Sequence, residues 1–433
     1  MRRWYRLDNA GKLYPAVATQ RNSSVYRVSG VLKERIDASI LQKAVDMVLP
    51  RFPMLAVRMR RGVFWHYFDA NDRRLFVRED GDFPCYPIDP QAENGYLMKV
   101  LYYRCRVSVE IFHSVTDGSG AIEFLKSLLF YYLLFSGKEV RSEGLVRECD
   151  EAVSPSDVED GFRRYYAEAS IVPEARENAY IIRGTDFDVP GNNVVHGALS
   201  ASGLNAVARR RGGTITAYLA AVLMRSIYQT RQSRGMDERP VVVAIPVNLR
   251  KLFPSRTLRN FYGVVNVEAG DLAVVDLDAL VARVDASLRE KTSAEALQGL
   301  ITANVNLEAR RAARIVPLFA KKLLIRLGND LWGETKKTIT LSNLGRIDLP
   351  STMSEHVEQI ECAAFPTPRS PINCGVCSLG DRLLITFTRA IEEADILQRF
   401  FSHLSREEGL DVFIYSNDWG GLRCKDATTV DSR

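Results

Sequence analysis

The sequence predicts an α/β fold made of two units, in each of which a mixed β-sheet is flanked by helices. The first observation is length, because 433 residues exceed what a single hydrophobic core usually supports. The second is an alternating strand over 107–112 that leads through a short loop into an apolar helix over 119–135. The third is another strand-to-helix succession that starts at Val194.

Apolar periodicity and turn residues predict the elements of the first unit. Apolar side chains recur at helical spacing, a Pro follows the first helix, and a Gly suited to a left-handed cap follows the last one. The predicted elements are a helix at 37–48, strands at Leu55–Met59 and Val63–Phe68 with a turn at 60–62, a strand pair within 97–112, and the helix at 119–135.

An acidic, polar stretch at 138–160 reads as an exposed connector, and a short helix and an irregular crossing segment follow it. The second unit alternates strands and helices, and its run Val241–Val247 is apolar throughout, as in a sheet covered on both faces. We therefore predict a first domain at 1–175, a linker at 176–193 and a second domain at 194–433. The predicted elements of the second domain are strands at Val194–Leu199, 241–247, 337–341, 357–365, 373–379 and 382–389, and helices at 202–211, 216–229, 276–290, 307–328 and 392–405.

Composition narrows the class of protein. A net charge of +5 is mild for this length and lacks the dense basic footprint of a nucleic-acid-binding protein. The first residues lack the apolar core of a signal peptide, and no segment has the length of a membrane span. Seven scattered cysteines fit a reducing compartment, so we expect a cytoplasmic protein without an integral membrane segment. Cys374 and Cys377 form a single CxxC, which we interpret as core packing.

Chemistry is concentrated in the loop between the strand at 107–112 and the helix at 119–135. His113 stands at the end of the strand, Asp117 follows four residues later, and Gly118 opens the helix. Histidine is the side chain best able to accept and return a proton near neutral pH. At such a turn its ring can project into a cleft, so His113 is the candidate catalytic base. No histidine pair has the spacing of metal ligands, and we predict no metal site.

The pattern His-x-x-x-Asp-Gly at 113–118 resembles the motif of the CoA-dependent acyltransferase superfamily, which includes chloramphenicol acetyltransferases, alcohol acyltransferases and condensation domains. The resemblance implies two chloramphenicol-acetyltransferase-like domains arranged as a pseudo-dimer, with a tunnel between them and His113 near its centre. It implies acyl-CoA as a co-substrate, with no permanently bound cofactor, and a small-molecule acceptor. We expect a monomer that binds no nucleic acid.

Three further segments are similar to the superfamily. The opening Trp4–Pro15 looks like the start of bacterial alcohol acetyltransferases and serves as evidence on the fold only. In relatives an arginine after a buried strand pairs with the aspartate of the motif, and Arg250 matches that position. The resemblance thus assigns Asp117, Arg250 and Gly118 to structural support of the histidine loop. Without the resemblance, the sequence identifies Arg250 only as an ordinary arginine after a strand.

The segment Ser342–Gly345 is similar to a Ser-Asn-x-x-Gly-type segment of wax-ester synthases. Ser342 and Asn343 are therefore candidates to stabilise an oxyanion or bind substrate, although Ser-Asn-x-Gly after a strand is also ordinary turn chemistry. The chain departs from the superfamily in two places. It lacks the Asp-Phe-Gly-Trp-Gly segment of the plant enzymes, and Phe112 stands where condensation domains carry a second histidine.

The resulting expectation is an O-acyltransferase that moves an acyl group, expected to be acetyl, from CoA to a hydroxyl. His113 deprotonates the acceptor, which attacks the thioester directly. Two alternatives stay open. The donor could be a thioester on a carrier protein, as in condensation or release enzymes, or the chain could be a non-catalytic binding member of the fold.

Overall fold

A computed structural model describes residues 4–168, 177–187, 191–234, 237–268, 270, 276–309, 316–329 and 333–417. Within these ranges the helices are α1 (Tyr14–Val17), α2 (Ala38–Val48), α3 (Gly118–Phe135), α4 (Gly161–Arg164), α5 (Ala201–Arg210), α6 (Ile215–Arg234), α7 (Leu277–Lys291), α8 (Ala294–Ala309), α9 (Leu318–Gly328), α10 (Ser351–Ser354) and α11 (Asp395–Ser402).

The strands of the described ranges are β1 (Trp4–Arg6), β2 (Val25–Leu32), β3 (Val57–Arg61), β4 (His66–Ala70), β5 (Val77–Glu79), β6 (Met98–Tyr103), β7 (Arg106–Phe112), β8 (Asn193–Ser200), β9 (Val242–Asn248), β10 (Tyr262–Glu268), β11 (Ile339–Arg346), β12 (Val357–Ala363), β13 (Ile372–Leu379), β14 (Arg382–Arg389) and β15 (Phe413–Ser416). They form a three-stranded sheet of order β1-β4-β3, a five-stranded sheet of order β12-β2-β7-β6-β5 and a seven-stranded sheet of order β10-β9-β11-β13-β14-β8-β15.

The two larger sheets are mixed, as the sequence predicted. In the seven-stranded sheet β11 runs parallel to both β9 and β13, whereas the other neighbours are antiparallel. In the five-stranded sheet only β5 and β6 pair in parallel. Helices pack against these sheets, so the predicted fold class of mixed α/β units is confirmed.

Apolar side chains of the described residues gather in two hydrophobic clusters. One surrounds α2, α3 and the five-stranded sheet, and the other surrounds α6, α7, α11 and the seven-stranded sheet. Strand β13 lies between them: Cys374 and Val376 face the second cluster, while Cys377 and Leu379 face the first. Because side chains of a strand alternate between faces, Cys374 and Cys377 point to opposite sides of the sheet. Both are free thiols. Burial raises the pKa of Cys374 well above its usual value, and the hydrogen bond with Cys362 together with burial does the same for the pKa of Cys377.

One strand joins the two halves. β12 belongs to the C-terminal part of the chain, yet it pairs antiparallel with β2 at the edge of the first sheet. The local sequence predicts a strand at 357–365, but not which sheet accepts it. The predicted boundaries between the domains near 175 and 193 fall on or beside residues 169–176 and 188–190, which lie outside the described residues. The domain limits therefore stay a prediction.

The structure corrects three predicted elements. Arg60 and Arg61 belong to β3, and the hairpin turn is formed by 62–65, where the Gly62 amide donates to the carbonyl of Trp65 over 3.1 Å. The helix predicted over 307–328 is interrupted at Val316 and Pro317, which lie before α9; α8 reaches Ala309, and residues 310–315 lie outside the described residues. Strand β11 continues to Arg346 rather than ending at Leu341. The last change matters for the site, because it places Ser342 and Asn343 on a strand.

Candidate active site

The loop that carries His113 is held at both ends. β7 ends at Phe112, and the His113 amide donates a hydrogen bond of 2.8 Å to the carbonyl of Ser24, the residue before β2. Asp117 is the N-cap of α3, and its Oδ1 accepts from the Gly120 amide at 3.2 Å. A short acidic N-cap satisfies an amide that the first helical turn leaves free. The sequence predicted this succession of strand, loop and helix. The predicted start of α3 differs from the observed start by one residue.

Glycine is required near the start of α3 because other chain segments approach closely. A Cβ on Gly118 would lie 2.7 Å from a methyl carbon of Leu344, and that flexible side chain could move. A Cβ on Gly120 would lie 2.4 Å from the backbone oxygen of Leu258, which could not. Gly120, which the sequence analysis did not single out, is therefore the more constrained of the two.

The imidazole of His113 lies among aromatic rings. It stacks on Tyr14 with ring centres 4.5 Å apart and planes inclined by 13°, and it contacts Tyr26 and Tyr262 at 4.8 and 5.5 Å. The hydroxyl groups of Tyr14 and Tyr262 are hydrogen-bonded to each other. These contacts restrict ring rotation, so the two imidazole nitrogens keep fixed directions.

The hydrogen bonds of Asn260 assign the tautomer of His113. Asn260 Nδ2 donates to Asp8 Oδ2 at 3.3 Å and to the Ser114 carbonyl at 3.4 Å, which directs Oδ1 towards the histidine. His113 Nδ1 lies 3.1 Å from that oxygen and must donate to it, since an amide oxygen can only accept. Nε2 is then the nitrogen with the free lone pair. A base of this kind needs its other nitrogen held in this way.

The surroundings of His113 favour the neutral ring. Loss of hydration lowers the pKa of His113 below its ordinary value, while the charge of Asp117 and the hydrogen bond with Asn260 partly oppose the shift. A neutral imidazole at neutral pH can accept a proton, whereas an imidazolium cannot. The direction of the shift therefore suits a general base.

Asp117 and Arg250 form an ion pair that braces the loop from the second half of the chain. Arg250 Nη1 lies 2.8 Å from Asp117 Oδ2, and the Asp117 and Arg250 side chains are only 6% and 13% exposed. The same carboxylate oxygen accepts the amide of Phe261 at 2.9 Å. Arg250 also donates to the carbonyls of Thr257 and Arg259 at 3.1 and 2.6 Å. The guanidinium thus ties the segment 257–261, which carries Asn260, to the start of α3.

Asp8 is a buried support of the site that the sequence analysis missed. Its side chain is hydrogen-bonded to the Gly11 amide at 2.6 Å and lies 3.6 Å from Arg259 Nε. Burial raises the pKa of Asp8, and the charge of Arg259 partly offsets that effect. Asp8 and Tyr14 both belong to the opening segment Trp4–Pro15, which was interpreted as evidence on the fold alone. Asn260 had no signal in the sequence.

Ser342 and Asn343 lie on β11 rather than in a turn, which corrects the predicted local structure. The ladder with β13 shifts register between Asn343 and Gly345, where Gly345 adopts a φ of 77°. Asn343 is committed to local contacts: its Nδ2 donates to Thr216 Oγ1 at 2.9 Å and its Oδ1 accepts from the Gly345 amide at 2.8 Å. No hydrogen bond joins the Ser342 hydroxyl to another described residue. Ser342 is therefore the freer donor of the two.

A cavity of about 1100 Å³ lies beside the His113 loop and β11. His113, Ser342, Asn343 and Tyr262 line it together with apolar side chains from both halves of the chain. Lys251 and Arg256 line it too; both are exposed, and neither forms an ion pair within the described ranges. A cavity of this size accommodates an organic substrate. The residues described here contain no group of three or more His, Cys, Asp or Glu that could bind a metal ion.

Comparison with known proteins identifies the fold. No protein-family model matches the chain, and no curated protein matches its sequence. Among solved structures, F. graminearum TRI101 complexed with ethyl coenzyme A has a TM-score of 0.61 at 13% identity, with 95% of this chain and 100% of that chain covered. Polyketide synthase associated protein 5 from Mycobacterium tuberculosis has a TM-score of 0.57 at 15% identity, with coverage of 93% and 97%.

The first condensation domain of the CDA synthetase is similar over the same length. It has a TM-score of 0.57 at 13% identity and covers 94% of this chain and 95% of that chain. Identities this low carry information on architecture rather than on activity. The similarity extends over nearly the whole chain in each case, so this protein has the fold that TRI101 shares with condensation domains.

Proposed function

We propose that the protein transfers an acyl group from acyl-CoA to the hydroxyl of a small-molecule acceptor. The observation that carries the proposal is the histidine whose Nδ1 is held by Asn260, which leaves a basic Nε2 on a residue that lines a large cavity. The fold supports it, because TRI101 was crystallised with ethyl coenzyme A and a starter condensation domain with C8-CoA and Leu-SNAC.

In the proposed reaction His113 Nε2 takes the proton of the acceptor hydroxyl as its oxygen attacks the thioester carbonyl carbon. The carbonyl oxygen becomes an oxyanion, which the Ser342 hydroxyl stabilises by donating a hydrogen bond. The intermediate then expels the sulfur, and His113 returns its proton to the departing thiolate. The products are an ester and free CoA, with no covalent acyl-enzyme.

The cations Lys251 and Arg256 are evidence that the acyl donor is an anion such as acyl-CoA. Both line the cavity, are solvent-exposed and lack an acidic partner among the residues described. Phosphate groups of CoA are strongly acidic and would be attracted to such a site. We assign this part of the cavity to the nucleotide end of the donor.

The proposal is tested by release of free thiol from acetyl-CoA in the presence of a panel of alcohols. The expected result is acceptor-dependent release that His113→Ala lowers by about 10²–10⁴-fold, which is the usual cost of losing a positioned base. His356→Ala is the matched control, because His356 lies outside the cavity lining.

The same assay separates the alternatives. Thiol release that occurs only with an acyl-loaded carrier protein would replace CoA by a carrier as the donor. No release with either donor, from a folded protein that still binds small molecules, would support the non-catalytic alternative. Full activity of a folded His113→Ala protein would overturn the mechanism.

A further inference from the structure

An exposed surface on α9 and the β3–β4 hairpin is independent of the proposed reaction. We define the apolar-basic patch as Val63, Phe64, Leu323, Leu324 and Leu327, together with the cations Arg61, Lys322 and Arg326. The five apolar residues are between 44% and 73% exposed. Large apolar side chains that cluster on a surface indicate a contact with something outside the molecule.

The hairpin tip and α9 form one continuous surface. The Leu318 amide donates to the carbonyl of Val63 at 3.0 Å, and Lys321 Nζ donates to the carbonyl of Phe64 at 3.0 Å. Lys321 Nζ also lies 3.6 Å from the centre of the Trp65 ring. Leu318 and Lys321 thus face the hairpin and are buried.

The helical period explains why the leucines point outwards. At about 100° per residue, Leu323, Leu324 and Leu327 fall on one side of α9, turned away from the buried Leu318 and Lys321. Lys322 and Arg326 are one turn apart and border that leucine face. Helix α9 is therefore amphipathic with its apolar side in solvent, the reverse of a helix that packs on a core.

The positive charge of the patch has no acidic partner among the described residues. Arg61 and Arg326 both lie close enough to Lys322 to act with burial in lowering the pKa of that amine. None of the three forms an ion pair with another described residue. Neither α9 nor the segment 60–66 contains Asp or Glu. The charge calls for an anionic partner, and two copies of this surface placed face to face would repel each other.

We propose that the apolar-basic patch binds the surface of an anionic phospholipid bilayer. The leucines and the hairpin tip insert among the acyl chains, while Arg61, Lys322 and Arg326 contact the phosphate headgroups. This combination is the physical basis of interfacial binding by amphipathic helices. It concerns attachment to a membrane surface only; no helix in the described ranges is long and apolar enough to cross a membrane.

The position of the patch relates it to the cavity. Helix α9 packs on α1, and Leu13, Tyr14 and Val17 of that region line the cavity, as does Asn329 directly after α9. This step rests on the proposed function. A bilayer bound at the patch would lie beside the cavity, and hydroxyl acceptors dissolved in the lipid would reach the cavity from there.

The test is co-sedimentation with vesicles. One vesicle preparation contains phosphatidylcholine alone, and the other is an equal mixture of phosphatidylcholine and phosphatidylglycerol. The full chain is expected to bind the mixed vesicles, with less binding at high salt. The pair Leu324→Ser and Leu327→Ser should reduce binding by more than about tenfold, and the triple variant Arg61→Ser, Lys322→Ser and Arg326→Ser should remove the preference for phosphatidylglycerol. Met47→Ser, which removes an exposed apolar side chain from α2, is the matched control and should bind normally.

Two measurements keep the outcomes distinct. Thiol release from acetyl-CoA with a water-soluble alcohol, measured without vesicles, should be the same in the patch variants as in the original chain, which separates this proposal from the proposed function. Absence of binding to the mixed vesicles, or equal binding by the leucine variants, would overturn the membrane assignment. If light scattering showed that the chain is a dimer and that Leu324→Ser dissociates it, the partner of the patch would be a second copy of the chain. That result would overturn the membrane assignment.

Discussion

His113 Nδ1 lies 3.1 Å from Asn260 Oδ1, although 147 positions separate the two residues in the sequence. The contact connects the loop after β7 in the first half to the segment before β10 in the second. Asp8, in the N-terminal segment, accepts a hydrogen bond from Nδ2 of the same Asn260 side chain. The orientation of the candidate base thus depends on three distant parts of the chain, and this dependence leads to the first two predictions.

The pH dependence of turnover follows from the lowered pKa of His113. The base functions only when neutral, so turnover should rise with pH through the His113 pKa and then level off. Because burial lowers that pKa, the midpoint should lie below the ordinary histidine value of about 6.5. The measurement is kcat/KM for thiol release between acid and neutral pH, which reports the pKa of the free enzyme. A midpoint above the ordinary value would contradict the assignment of His113 as the buried base.

Asn260→Ala should lower kcat and shift this profile. The variant removes the acceptor for Nδ1–H, so the imidazole can adopt the other tautomer and rotate. It also removes an interaction that raises the pKa of His113, so the acid limb should move to lower pH. We therefore class Asn260 as a positioning residue. Thr340→Ala, which shortens a side chain that lines the cavity, is the control and should leave the midpoint unchanged. An unmoved midpoint in Asn260→Ala would exclude the positioning role.

Asp117→Asn and Arg250→Ala should each reduce stability as well as activity. Loss of one member of a fully buried ion pair typically costs about 3–5 kcal/mol, and the partial exposure of Arg250 places this pair towards the lower end. The free energy of unfolding in urea is the measurement. The double variant should be less damaged than the sum of the two single losses.

The matched control for this pair is Arg21→Ala. Arg21 and Asp186 form an ion pair whose side chains are 67% and 61% exposed, so its loss should cost under about 1 kcal/mol. Equal losses of stability in Arg21→Ala and Arg250→Ala would show that Arg250 does not brace the histidine loop.

Ser342→Ala should lower kcat by about 10²–10³-fold, with a small change in the KM for acyl-CoA, because an oxyanion donor acts on charge that develops during the reaction. Asn343→Ala provides the contrast. Its amide joins Thr216 to Gly345, so its loss should mainly lower the free energy of unfolding. Unchanged kcat in Ser342→Ala would leave β11 as a structural part of the cavity wall.

Lys251→Ala and Arg256→Ala should raise the KM for acyl-CoA by roughly fivefold each, as is typical for an exposed charge, with little change in kcat. The KM should also become less sensitive to salt, since fewer charges attract the donor. Lys43→Ala, an exposed lysine on α2 outside the cavity lining, is the control. If the KM for acyl-CoA does not change, the nucleotide end of the donor enters elsewhere.

The sequence by itself determined the features that depend on neighbouring residues. The strand at 107–112, the His113 loop and α3 follow from alternation, a glycine that opens the helix and apolar periodicity, all within thirty residues. The mixed α/β class followed from the same kind of signal in each half. A motif resemblance then assigned Arg250 to Asp117, and the ion pair is present in the structure at 2.8 Å.

Only the tertiary structure decided which residues surround His113. Asn260, Asp8 and Tyr262 follow no local pattern, since their roles arise from long-range packing of the two halves against each other. The same holds for β12, whose local sequence indicates a strand but not its pairing with β2 in the sheet of the first half. Ser342 looked like a turn residue because Gly345 suits a turn, whereas the positive φ of Gly345 instead accommodates a bulge within β11. Neighbouring residues specify the helices and strands. Contacts between distant segments specify the site, because the partners of each side chain depend on how the sheets and helices pack in space.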